Sequence, residues 1–213
     1  MIEEGRFITF EGIEGVGKST QVARLSAALN LHGVAHVVTR EPGGTPLAET
    51  IRQVVLTARE EALPAMAELL LMFAARAVHL ANLIEPNLRA GRWVICDRFT
   101  DATYAYQGGG RALSDGPIRQ LESMVQGMRR PDLTILLDAP VQSALARAAA
   151  RNAGSIADRF EQERAEFFER VRGAYRALAA AEPKRIAVLD ATRTVAEVGE
   201  SILGQLKARS WIS

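Results

Sequence analysis

The chain has 213 residues, 48% of them hydrophobic, and a formal net charge of +1; that is enough apolar material for one substantial core, and too little net charge for a general electrostatic grip on nucleic acid or an acidic membrane surface. One cysteine, Cys96, excludes an intrachain disulfide and a cysteine-only metal site. The N-terminal MIEEGRFITF places two acids where a secretory leader needs positive charge, and no apolar run reads as a membrane span, so a soluble cytoplasmic protein is expected.

The first predicted element is a buried strand, RFITF at 6–10, which leads into FEGIEGVGKST at 10–20. Gly12-Ile13-Glu14-Gly15-Val16-Gly17-Lys18-Ser19 has glycine, four residues, then Gly-Lys-Ser. This is the loop whose backbone N–H groups cradle polyphosphate, whose lysine reaches the β- and γ-phosphates and whose serine hydroxyl binds Mg²⁺. A helix should open at Lys18 and run to about His32, with Gly33 as its stop. A second strand is predicted at AHVVT, 35–39. From Pro64 to Leu88 the residues Met66, Leu69, Phe73, Ala77, Leu80 and Ile84 recur at helical spacing. Three more strands follow at WVICD (93–97), LTILLD (133–138) and RIAVLD (185–190). The alanine-rich 144–160 reads as a helix, a Gly154-Ser155 break and a second helix, which then runs from about 159 to 181 with Phe160, Phe167, Val171, Tyr175 and Leu178 on one stripe. Five apolar strands joined by helix-length crossovers predict an α/β fold: a five-stranded parallel sheet covered on both faces, in three layers, as one domain over 1–213.

A phosphate loop does not choose the reaction. No Asn-Lys-x-Asp signature and no Asp-x-x-Gly after a strand are present, which argues against a regulatory GTPase. Instead Arg40, Arg52, Arg76, Arg98, Arg111, Arg147, Arg151 and Arg159 stand at element ends or on helix faces, as two polyphosphates meeting in one cleft would require. Arg98 follows Asp97 at the carboxyl end of a strand, the edge at which open parallel sheets bind ligands. Asp97 and Asp138 both end strands and either could support the magnesium shell. Phe73 and Arg76, three apart, share a helix face suited to a flat base. His32, His36 and His79 are too scattered for a metal site, and Cys96 reads as packing.

Taken together, FEGIEGVGKST, TREPGGT (39–45), FAAR (73–76), CDRF (96–99), AYQGGGR (105–111) and RPDLTILLD (130–138) resemble bacterial thymidylate kinase, in order from about residue 6 to 195. The resemblance implies a P-loop kinase that transfers the γ-phosphoryl of ATP to dTMP with Mg²⁺, as a homodimer with no nucleic-acid or membrane partner. It implies that Gly12 to Thr20 (Gly12, Ile13, Glu14, Gly15, Val16, Gly17, Lys18, Ser19, Thr20) and Arg147 hold ATP, and that Ser19 and Asp97 serve the metal. Phe73 would stack on thymine while Arg76, Thr103 and Gln107 read its edge; Arg52 and Arg98 would hold the acceptor phosphate; Tyr106 would crowd a ribose 2′-hydroxyl; Glu14 would face the 3′-hydroxyl. Some members carry arginine next to that acid, but here the position is Gly15, so a lid at about 147–160 should supply the catalytic cation. Arg147, Arg151 and Arg159 all qualify and Arg151 is favoured, making Lys18, Arg98, Arg151 and Glu14 the expected catalytic set; Asp158 and Glu161 match acids after the family's lid. Another nucleoside or nucleotide kinase, or a non-catalytic ATP-binding module, are the competing readings.

Overall fold

In the computed structural model, which describes residues 4–57, 60–151, 159–160 and 162–213, the five apolar runs are five parallel strands. They are β1 (Phe7–Glu11), β2 (His36–Arg40), β3 (Trp93–Asp97), β4 (Leu133–Asp138) and β5 (Ile186–Asp190), in the order β2-β3-β1-β4-β5. β1 and β2 each sit one residue later than the apolar pattern suggests. The ladder decides this: Arg40 pairs with Asp97, and Glu11 with Leu136, so polar residues are drawn into the carboxyl ends of the strands. As a result Glu11, Asp97, Asp138, Asp190 and Arg40 all stand at one edge of the sheet.

Helices cover both faces, as a parallel sheet demands. They are α1 (Lys18–Leu31), α2 (Pro46–Leu56), α3 (Ala65–His79), α4 (Glu85–Arg89), α5 (Thr100–Thr103), α6 (Asp115–Gln126), α7 (Val141–Arg151), α8 (Ala165–Ala181) and α9 (Val195–Lys207). The expected 64–88 helix is α3 and α4 joined by a π-helical turn, Leu80–Ile84. The wider turn has a local cause: Pro86 lacks an N–H and its ring crowds the carbonyl one turn back, which a π-turn relieves. Its core face also differs from the expected stripe. Met66 and Ala77 are exposed, whereas Glu68, Arg76 and His79 are buried among Leu69, Met72, Phe73 and Ala75.

Residues Ala65–Arg89 are long and apolar enough, at mean hydropathy 1.5, to match a membrane span by length and composition, contrary to the expectation that no such run exists. The buried polar residues on it are bonded inside the protein, so it acts as a core helix. α8 begins at Ala165 rather than 159. Arg159 and Phe160 form a turn ahead of it, and the Phe160 ring meets Tyr106 edge to face at 5.6 Å. The Gly154-Ser155 hinge, Asp158 and Glu161 lie outside the described residues.

The core holds a polar strut. Thr9 and Thr134 hydroxyls meet at 2.8 Å across β1 and β4, Thr134 donates to Asp101 at 3.1 Å, and Arg185 closes on both Asp101 oxygens at 2.7 and 2.8 Å. Each group is paired, which is the condition for burying it.

Candidate active site

The phosphate loop leaves β1 at the centre of the sheet and enters α1, where the crossovers to β3 and β4 diverge. Gly17 caps α1 from the left-handed region (φ 95) and no side chain caps the first turn, so the N–H groups there remain available to an anion. The Ile13 and Val16 side chains are in the core, which leaves their backbones to face a ligand. Gly15 has φ 75, and a Cβ on it would stand 1.9 Å from the Ala144 carbonyl oxygen of α7. No arginine fits there, because α7 packs directly against the loop.

Lys18 lies folded onto the loop, its Nζ donating to the carbonyls of Gly12 and Ile13 at 3.0 Å each. Burial, with Arg98 next, pulls its pKa down to about 8. Ser19 Oγ donates to Asp97 Oδ2 at 3.3 Å, and Asp97 Oδ1 is buried with no partner among the described residues. Asp138 is instead held by both arms of Arg172 at 2.7 and 2.9 Å. Of the two acids, Asp97 is the one with an unused oxygen beside a hydroxyl, a pair whose chemistry suits a hard cation that prefers oxygen ligands.

Lys18, Ser19, Arg40, Arg52, Arg98 and Arg151 line one cleft with the loop. Of Arg147, Arg151 and Arg159, Arg151, at the end of α7, is the one that lines it. Arg147 donates to the Ala191 carbonyl beyond β5 at 3.1 Å, away from this cleft. Arg159 donates to the Val55 carbonyl at 3.1 Å and pairs with buried Glu68. Thr20 is exposed on the first turn of α1.

A second chamber adjoins the first and shares Glu14, Glu41, Arg52 and Arg98 with it. Arg98 bridges the two: NH1 donates to the Gly12 carbonyl at 2.9 Å, and NH2 to Glu14 Oε1 and Tyr106 Oη at 2.9 Å each. Tyr106 also donates to Glu14 at 2.7 Å. Arg52 donates to the Pro42 carbonyl at 2.8 Å.

Deeper in, Arg76 Nε donates to Glu41 Oε2 at 2.8 Å and its NH2 to Thr103 at 3.0 Å. His79 Nδ1 and Thr39 extend the same chain at 3.0 and 2.7 Å, so His79, given no part from the sequence, orients Glu41. Gln107 Nε2 donates to Glu68 Oε1 at 2.7 Å. Arg76 NH1, a donor, and Gln107 Oε1, an acceptor, are both buried and find no partner among the described residues. Such atoms are costly to leave unpaired; both residues are fully buried behind the second chamber and do not line it.

Phe73 is not where a stacking platform must be. It is 1% exposed and packs on Leu69 and Ile118 in a satellite cluster, with the Arg76 guanidinium 4.8 Å from its ring centre. The α3 side chain that lines the chamber is Met72, opposite Tyr106 and Phe160. Met72 stands four residues before Arg76 and Phe73 only three; helical spacing admits both, and only packing separates them.

Sequence reasoning also left out Glu11, Glu41, Glu68 and Tyr175. Glu41 sits inside the REPGG run, so a signal for it existed; the other three look like ordinary strand or helix residues.

A family model described as thymidylate kinase matches residues 10–202. The chain is 59% identical over 198 residues to the thymidylate kinase of Pseudomonas entomophila, covering 93% of each, and 56% identical over 210 residues to that of Chromohalobacter salexigens, covering 97% of this chain and 98% of the other. Among solved structures it resembles thymidylate kinase from Ehrlichia chaffeensis, with a TM-score of 0.76 and 33% identity over 96% of this chain and 99% of that one.

Proposed function

The chain belongs to the thymidylate kinase family, and on that premise we propose how its residues move the γ-phosphoryl of ATP to dTMP, giving dTDP and ADP. It is a nucleoside monophosphate kinase. The observation that carries the residue assignment is Arg98, bonded at once to the phosphate loop through the Gly12 carbonyl and to the acceptor chamber through Glu14 and Tyr106. One guanidinium thus stands between the two phosphates that must meet.

ATP takes the first cleft. Backbone N–H groups from Gly12 to Thr20 receive the polyphosphate at the start of α1, and Lys18 exchanges its two loop carbonyls for phosphate oxygens. Arg147, from its place beside Ala191, serves the nucleoside end. Ser19 and Asp97 are the residues that would hold Mg²⁺, which would supply charge neutralisation to the phosphates.

Thymidylate takes the second chamber. The donor Arg76 NH1 and acceptor Gln107 Oε1, set behind the chamber, complement the carbonyl and imide N–H of a thymine edge; cytosine offers no N–H there. Thr103 fixes Arg76, and Met72, in place of Phe73, supplies the apolar surface beneath the ring. Glu14 and Tyr106 border the sugar, with Arg52 and Arg98 on the acceptor phosphate. That phosphate is already largely dianionic near neutrality, so no general base is needed. Alignment and charge neutralisation by Lys18, Arg98 and Arg151 remain to be supplied.

We read the chain as one kinase domain over 1–213 whose lid falls at about 147–160, acting in the cytoplasm. A homodimer is supported by Leu47 of α2, Met66 and Leu70 of α3 and Met124 of α6, all exposed on three neighbouring helices.

ADP release with ATP and Mg²⁺, measured in parallel against dTMP, dUMP, dCMP, dGMP and dAMP, tests the acceptor. Selectivity for dTMP is expected. Preference for dCMP or a purine nucleotide removes the roles of Arg76 and Gln107, and release that ignores the acceptor removes the second chamber.

A further inference from the structure

Arg98 reaches the cleft from a backbone that most residues avoid, with φ 74, where Cβ crowds the neighbouring carbonyl. Something must hold it there. Glu11, fully buried at the end of β1, accepts the N–H of Phe99, the next residue, at 2.7 Å on Oε1. Its Oε2 accepts the hydroxyl of Tyr175, from α8, at 2.6 Å. The Tyr175 oxygen in turn accepts from Arg98 NH1 at 3.1 Å. One carboxyl group therefore grips both the backbone after Arg98 and, through Tyr175, the guanidinium itself.

The two terminal nitrogens of Arg98 stand in different surroundings. NH1 is spent on groups that belong to the walls, the Gly12 carbonyl and Tyr175. NH2 is engaged by Glu14 and Tyr106, which border the acceptor chamber. We propose that Glu11 and Tyr175 are positioning residues for phosphoryl transfer: they lock NH1, so that NH2 and Nε are presented to the acceptor phosphate at a fixed angle once Glu14 and Tyr106 turn to the sugar. The inference rests on the role given above to Arg98. Burial, with Glu11 next, holds the Tyr175 hydroxyl well above its usual range, so it stays protonated and able to bridge. A purely structural Tyr175 would need its ring, which packs against Tyr106, and not its hydroxyl.

The test is a double-mutant cycle of Tyr175→Phe with Arg98→Lys, read as steady-state kinetics in each substrate. Tyr175→Phe keeps the ring and should lower kcat/KM for dTMP about tenfold, the scale of one hydrogen bond to a charged group, with KM for ATP within about twofold. In the Arg98→Lys background the same change should add less than about twofold, because its route of action is already gone. A full loss in both backgrounds, or none in the single variant, overturns the proposal. If Arg98→Lys itself leaves dTMP kinetics unchanged, the acceptor role of Arg98 falls and the proposal with it. Glu11→Ala, which removes the partner of both the Phe99 N–H and the Tyr175 hydroxyl, is a second probe, expected to lower dTMP kcat/KM several-fold. Unaltered dTMP kinetics in that variant also count against the proposal.

Discussion

Lys18 illustrates how a loop residue is held ready. Its ammonium lies on two carbonyls of its own loop, and burial draws its pKa to about 8, so its charge is complete near neutrality and fades as pH rises through that value. ATP affinity should be level below about pH 8 and weaken above it, in a binding titration from roughly pH 6.5 to 9.5; Lys18→Arg, whose charge persists, should flatten the curve. Removing the cation with Lys18→Met should cut turnover by about a hundredfold or more. Met72 and Phe73 supply a second contrast. Met72→Ala should raise KM for dTMP by roughly tenfold through lost apolar contact, whereas Phe73→Leu should cost about 1 to 2 kcal/mol of stability through its satellite cluster and leave KM for dTMP nearly unchanged. The reverse pattern would return the platform to Phe73.

At the scale of elements, the turn between β2 and α2 lines the second chamber through Glu41 and Pro42. Gly44 has φ +88, and a Cβ there would stand 2.4 Å from His79 Nε2 and from Thr39 Oγ1. Those are the atoms that extend the Glu41 chain to Arg76. Gly44→Ala should therefore lower stability by about 2 kcal/mol or more in urea unfolding and also weaken dTMP binding, since Glu41 orients the Arg76 guanidinium. A variant with wild-type stability and kinetics would mean that the turn relaxes without disturbing that chain. The π-turn in the α3–α4 helix has a comparable place, letting one long helix carry Pro86 while it keeps Glu68, Arg76 and His79 aimed inward.

Over the whole molecule, the buried Glu11 ties stability to pH. Burial first, and then Asp101, raise its carboxyl to about 8 against the opposing pull of Arg98, while the unfolded chain releases that proton near 4.5. Between those values the folded state holds a proton that the unfolded state has lost, so stability falls as pH rises, by at most about 1.4 kcal/mol per unit. Lys18 acts in the opposite sense, and only between about 8 and 10.5, so the descending window is separate. Urea unfolding from about pH 5 to 8 should show a shallower decline in Glu11→Gln than in wild type; parallel curves would place the proton elsewhere. The exposed apolar residues of α2, α3 and α6 carry the proposed homodimer. Light scattering should report a dimer, and Leu70→Glu should shift it toward monomer; a wild-type monomer would dismiss that face.

Periodicity and local chemistry were enough for much of this. Five strands announced themselves because a sheet buried on both faces needs continuous apolar runs, and the phosphate loop because only glycines at fixed places let N–H groups converge on an anion. Arg98 and Asp97 were legible because they end a strand at the edge where such sheets bind ligands. Tertiary structure decided what depends on residues far apart in the chain. Asp97 rather than Asp138 keeps an oxygen free for a ligand because Arg172, 34 positions from Asp138, claims the latter. Met72, and not Phe73, lines the second chamber because adjacent positions on one helix face different neighbours. Glu11 and Tyr175, 164 residues apart, meet only after β1 and α8 have packed. Spacing within a segment reports what the segment can form, whereas the partner of a buried carboxylate or guanidinium is chosen by the packing of whole elements, to which local pattern is blind.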